Sequence, residues 1–165
     1  MRRRMGWAGV ALAAAAALVG ARGFSSDRDD ENDSGQHSKR RECSEATLRG
    51  AYGIQMQGTR PSGPPPAPIE SLNGVVIRVY DGHGAFTQVD NIKGSITGIV
   101  PDREGAGTYE VNADCSGMTH FSPGPGIPPI EERLVIVDGG EQVFSMVSSP
   151  QPVMVTTVQK KVDAR

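Results

Sequence analysis

Helical periodicity, cysteine, histidine and, past residue 23, basic charge are all scarce in this chain of 165 residues. No window of helical length carries an apolar stripe at 3.6-residue spacing, which excludes a fold built on helices. The three histidines, His37, His83 and His120, accompany neither a Gly-x-Ser-x-Gly elbow nor a His-Glu-x-x-His helix. No nucleophile, base and orienting group are therefore nominated together. The two cysteines, Cys43 and Cys115, leave none just after the apolar run at residues 8–20, where a lipid-attached protein would need one. The first 23 residues hold four arginines and no acid, so the rest carries 13 bases against 19 acids and a net charge of −6. Nucleic acid and anionic membrane surfaces attract the opposite sign.

What is present begins with Arg2, Arg3 and Arg4 ahead of an apolar run too short to span a bilayer. Together they read as a secretory signal over residues 1–23, with small residues at Val19-Gly20-Ala21 or Ala21-Arg22-Gly23 for cleavage. Stable membrane insertion is not expected once it is removed. Residues 24–42 hold one aromatic, no aliphatic side chain and many charges. Such a stretch cannot bury enough apolar area to offset its ordering entropy and reads as a disordered charged linker. Residues 43–161 suit one domain, with a short tail at 162–165.

Strand signals fill that domain. Alternating or β-branched runs lie at 47–57, 72–80, 85–91, 95–100, 107–112, 117–121, 132–137, 142–148 and 152–159, each bounded by Gly, Pro, Asn or Asp. In an oxidising destination two cysteines favour one disulfide, Cys43–Cys115. Cys43 precedes the first strand; with nine alternating strands Cys115 would fall at the opposite end. Merging 95–100 with 107–112 into one strand, kinked through 101–105, brings the two together and makes the count eight. Gly105 and Gly107 read as part of that kink, since Glu110 holds the place where a dinucleotide fingerprint needs its third glycine.

The connections then sort by end. Tight turns at 81–84, 112–117 and 138–140 share the end with the cysteines, while 58–71, 91–94, 122–130 and 148–151 share the other, where two are long and proline-rich. The fold class expected is all-β, an eight-stranded antiparallel up-and-down barrel (calycin-like), with a two-sheet sandwich as its rival.

The segments Cys43-Ser44-Glu45-Ala46-Thr47-Leu48-Arg49-Gly50-Ala51-Tyr52-Gly53, Tyr80-Asp81-Gly82-His83-Gly84-Ala85-Phe86, Gly107-Thr108-Tyr109-Glu110-Val111-Asn112-Ala113-Asp114-Cys115-Ser116-Gly117 and Val135-Ile136-Val137-Asp138-Gly139-Gly140 together resemble a group of uncharacterised secreted bacterial β-barrel proteins. The resemblance implies an exported barrel with paired cysteines. It implies no activity.

Metal signals are incomplete. Asp30-x-Asn32-x-Ser34-Gly35 opens like a calcium loop, but Arg41 stands where the bidentate glutamate belongs, and Asp81-Gly82-His83-Gly84 lacks a third ligand and reads as a turn. No metal or cofactor is expected. A barrel of eight strands is either packed or open to one small ligand, reached from the end with longer loops. On the first strand Leu48, Tyr52, Ile54 and Met56 share the face taken as inward. Tyr52, Arg78, Tyr80, Tyr109 and His120 are the strand-borne side chains suited to line a pocket for a small apolar ligand in the barrel mouth. The competing reading makes Tyr52 and Tyr109 core with satisfied hydroxyls and leaves Arg78 and His120 exposed. Two other roles stay open: a cell-surface adhesive protein using the proline-rich loops on a protein or polysaccharide, and an isomerase or cyclase by analogy with other barrels.

Overall fold

The computed structural model describes residues 42–124 and 127–162. The expected signal, nearly all of the linker, the calcium-like loop and most of the tail lie outside the described residues. Eight antiparallel strands follow one another around a closed barrel: β1 (Arg49–Pro61), β2 (Ile69–Asp81), β3 (Ala85–Gly94), β4 (Gly98–Val111), β5 (Ser116–Ser122), β6 (Ile130–Val137), β7 (Gln142–Ser149) and β8 (Met154–Lys161). β8 returns to β1, pairing from Tyr52↔Lys161 to Thr59↔Met154, so no sheet edge is left open. The eight-stranded barrel is the expected fold class.

The disulfide joins Cys43 to Cys115 with their Cα atoms 5.0 Å apart, at the end of the barrel that carries the tight turns. It ties the chain ahead of β1 across that end. The same segment forms a short 3-10 turn, Glu45–Thr47, and sinks Leu48 completely. Two tyrosines on strands fasten it from inside. The Tyr109 hydroxyl donates to the carbonyls of Glu45 and Leu48 at 3.0 and 2.9 Å, and the Tyr52 hydroxyl donates to the Gly140 carbonyl at 2.6 Å. Burial removes the charged form's hydration and pushes the Tyr52 phenol up to about 12, so it stays a donor.

Above this plug the lower lumen is filled by aromatics. Tyr80 meets Tyr52 and Tyr109 edge to face at centroid distances of 5.3 and 5.0 Å, and lies 5.7 Å from Phe86. Leu134, Ile136, Val143 and Phe121 complete the cluster. Each such aromatic contact adds about 0.5–1.5 kcal/mol beyond its buried area. Gly105 and Gly107 on β4 face this layer, and a Cβ at either would run into the Phe121 or the Phe86 ring. They make room for rings and do not form the kink, which corrects the expectation above.

The kink itself lies where the merged strand requires it. Asp90 pairs with Arg103 and Ile92 with Val100, so β4 carries one extra residue opposite Asn91. Asp102 takes a positive φ of 48° there, and its N–H donates to the Asn91 side-chain oxygen at 3.2 Å. β4 begins at Gly98 instead of residue 95.

The first hairpin differs more. β1 and β2 pair as far as Pro61↔Ile69, leaving seven residues, 62–68, where a connection over 58–71 was expected. Gly58 is not a break: a Cβ there would strike the Met154 carbonyl of β8, so the glycine admits a neighbouring backbone. Pro61 sits at the strand's last position, where the missing N–H costs least.

The disulfide closes a loop with a sequence separation of 72 residues, and closing such a loop contributes about 4 kcal/mol in the chain-entropy account. The doubly substituted Cys43→Ala/Cys115→Ala protein should lose about that much in urea unfolding; an unchanged midpoint would show that the plug holds without its covalent tie.

Candidate functional site

The upper half of the lumen is not filled. A cavity of about 680 Å3 occupies it and opens among the loops that join β1 to β2, β5 to β6 and β7 to β8. Its walls are aliphatic: Leu72, Ile92, Val147 and Val155, with Met56, Ile130 and Val153 packed against them. Leu, Ile and Val side chains reach only part of the way across an eight-stranded barrel, so the centre stays open. Pro61, Pro64, Pro65, Pro123, Pro128, Pro150 and Pro152 line the mouth. Fixed φ angles give that rim a preset shape.

The floor is charged. Arg78 Nη1 donates to Glu132 Oε2 at 3.0 Å and to the Tyr80 hydroxyl at 3.2 Å, while its Nε donates to Gln88 Oε1 at 2.8 Å. Gln88 Nε2 passes the chain to Asp90 Oδ2 at 3.2 Å, and Arg103 grips both Asp90 oxygens at 2.9 Å. Thr119 donates to Glu132 Oε2 at 2.9 Å. Beneath, the Phe86 ring lies 4.4 Å from the Arg78 guanidinium carbon, and a cation held over a ring face is attracted by the ring's quadrupole. Burial works against the charge on Arg78, but Glu132 and Tyr80 outweigh it and raise its pKa above the ordinary value. Desolvation likewise raises Tyr80.

Each position follows from register. Residues directly opposed on neighbouring strands share a face, and Tyr52, Arg78 and Gln88 form one row across β1, β2 and β3. Thr119 and Glu132 are opposed on β5 and β6. Inward parity from Phe86 also carries Gln88, Asp90 and Ile92 into the lumen.

Of the five residues named from the sequence, Tyr52, Tyr80 and Tyr109 are buried in the aromatic layer below the cavity, and only Arg78 lines it. The reading that left Arg78 exposed is corrected: it is 3% exposed. His120 is corrected in the other direction. It alternates with inward Thr119 and Phe121, points out of the barrel and faces Glu131 at 3.7 Å, each side chain 42% exposed. Gln88, Asp90, Arg103 and Glu132 were not foreseen; parity counted from Phe86 on β3, Tyr109 on β4 and Leu134 on β6 would have found them.

Below the floor, the Tyr80 hydroxyl donates to Gln159 Oε1 at 2.9 Å, and Gln159 Nε2 is buried without a partner among the described residues. Turning the amide over would let Nε2 donate to Tyr80 but would orphan the oxygen.

The mouth is braced at one side by Glu70. Its carboxylate accepts the Ile96 and Thr97 backbone N–H groups at 3.0 and 2.9 Å and Arg60 Nε at 2.9 Å, which pins the β3–β4 turn to the top of β1 and β2. A Cβ at Gly94 would occupy the place of that carboxylate. These bonds, the Thr97 N–H foremost, hold the Glu70 carboxyl down at about 2.

No family model matches the chain, and no curated protein matches it. Among solved structures it is similar to an S-type phycobiliprotein lyase from Guillardia theta, at a TM-score of 0.41 and 7% identity over 73% of this chain and 92% of that one. At that level of likeness the chemistry of the site rests on this chain's own residues.

Because the folded-state pKa of Glu70 lies below its ordinary 4.5, its contribution to stability is complete above pH 4.5 and fades as pH falls toward 2. Glu70→Gln should melt below the parent at neutral pH, with the gap closing across that window in a pH series of thermal melts. A gap of constant size would contradict the assignment.

Proposed function

We propose that this barrel is an exported binding protein that holds one small, largely apolar molecule in its upper lumen. The observation that carries the reading is the cavity of about 680 Å3, walled by aliphatic side chains and opening at the proline-rich end. It lies within the range in which proteins bury drug-sized ligands, with a few polar groups placed to orient them. Aliphatic walls supply affinity by removing apolar ligand surface from water, about 25 cal/mol for each Å2. The proline-rich loops serve as the rim of this cup.

Binding without turnover is favoured by the state of the lumen's ionisable groups. An isomerase or cyclase would need an acid or base free to exchange a proton, whereas Glu132 is tied to Arg78 and Asp90 to Arg103. His120 lies outside. The disulfide suits an oxidising compartment, which supports reading residues 1–23 as a secretory segment and the resemblance to secreted barrels.

The neutral fluorophore 1-aminoanthracene tests the reading. Titration should give saturable fluorescence enhancement at one site per chain. In Val147→Trp, whose indole takes up space the fluorophore needs, affinity should fall ~10-fold or more while the melting temperature stays near the parent's. Equal binding by both proteins would place the fluorophore elsewhere and overturn the proposal.

A further inference from the structure

We infer that the ligand's buried end is a neutral group carrying both a hydrogen-bond donor and an acceptor, a primary amide being the best fit, and that a carboxylate is rejected. The inference rests on the upper lumen being a binding site and goes on to name the chemistry that site accepts.

Charge balance and unused hydrogen-bonding capacity decide what the floor accepts. Three arginines line the cavity, and each is already matched: Arg78 with Glu132 at 3.0 Å, Arg103 with Asp90 at 2.9 Å, and Arg60 with Glu70 at 2.9 Å. The lining therefore offers no surplus charge to a ligand. A carboxylate would enter as an unmatched negative charge in a desolvated space, which is costly.

The floor nevertheless has capacity left. Arg78 uses Nε and Nη1, and Glu132 uses only Oε2; among the described residues Nη2 and Oε1 have no partner. Neither is among the fully enclosed orphan atoms, so both reach open space, and both residues line the cavity. Nη2 belongs to the same guanidinium as Nη1, and Oε1 to the same carboxylate as Oε2, so the two groups joined by a 3.0 Å contact each keep one unused site, a donor on one and an acceptor on the other. An amide presents C=O to the first and N–H to the second, completing both without disturbing the ion pair. A carboxylate has no donor for Oε1 and would bring two like charges together.

The space above sets the rest of the ligand. At about 30 Å3 for each water-sized group, a cavity of about 680 Å3 takes roughly twenty heavy atoms. Its walls want those atoms to be hydrocarbon.

The test is competition against 1-aminoanthracene at neutral pH, using dodecanamide and dodecanoate, which share a hydrocarbon tail and differ in the head. Dodecanamide should half-displace the fluorophore at a concentration ~10-fold or more below that of dodecanoate. Glu132→Gln leaves Arg78 without its counter-charge, so dodecanoate should gain ~10-fold or more and the order should reverse. Should that protein fail to fold, Asp90→Asn frees Arg103 in the same way and should also favour dodecanoate. Dodecanoate matching or beating the amide in the parent would overturn the inference while leaving the cavity as a binding site. So would a bound fluorophore that neither compound displaces. A parent that binds no fluorophore would overturn the cavity reading as well.

Discussion

The interior of the barrel divides at Arg78, and most of what distinguishes its two halves follows from burying that one guanidinium. A cation taken out of water costs several kcal/mol unless charge and hydrogen bonds replace its hydration. Here Glu132, Gln88 and Tyr80 supply them from three other places on the barrel wall, and Phe86 supplies a ring face below. Those partners must stand at particular levels on their strands. The aromatic layer therefore lies beneath the guanidinium as its platform, and the aliphatic cup lies above it. Removing one member of the Arg78–Glu132 pair would leave the other charged and unmatched, which is far more costly than the pair itself is stabilising.

The two ends differ for a related reason. The lower end is a closed surface because a covalent bond, two tyrosine hydroxyls and three tight turns hold the chain across it. Among the described residues the upper end has no such plug. Its loops take their shape from proline and from the Glu70 carboxylate that gathers the β3–β4 turn. Five of the six aromatic residues within the described chain, Tyr52, Tyr80, Phe86, Tyr109 and Phe121, are spent on filling the lower half. Phe144 faces outward, so among the described residues Phe121 alone brings an aromatic ring to the wall of the upper lumen.

Much of this architecture can be read from the chain alone, since turn residues mark the hairpins and the two cysteines decide the strand count. The site is harder to read, and β2 shows why. Along Val75-Val76-Ile77-Arg78-Val79-Tyr80, hydrophobicity would turn Val75, Ile77 and Val79 inward and Arg78 outward, yet those three are exposed and Arg78 is buried. The face of β2 is set by its pairing with β1, where Tyr52 is already committed to the interior. Local polarity loses to register. His120 fails for the same reason, because Phe121 and Thr119 take the inward places. Gly58, Gly105 and Gly107 read as breaks, but each marks a close approach that only the folded neighbours reveal.

The central claim is that one half of the lumen is open and the other packed, with the arginine network between them. Methyl NMR of the protein titrated with 1-aminoanthracene measures this most directly. The account predicts that the methyl signals of Leu72, Ile92, Val147 and Val155 shift together and saturate, while those of Leu48, Leu134 and Val143 stay in place. Shifts spread evenly over both sets, or confined to the outward methyls of Val75, Ile77 and Val79, would contradict it.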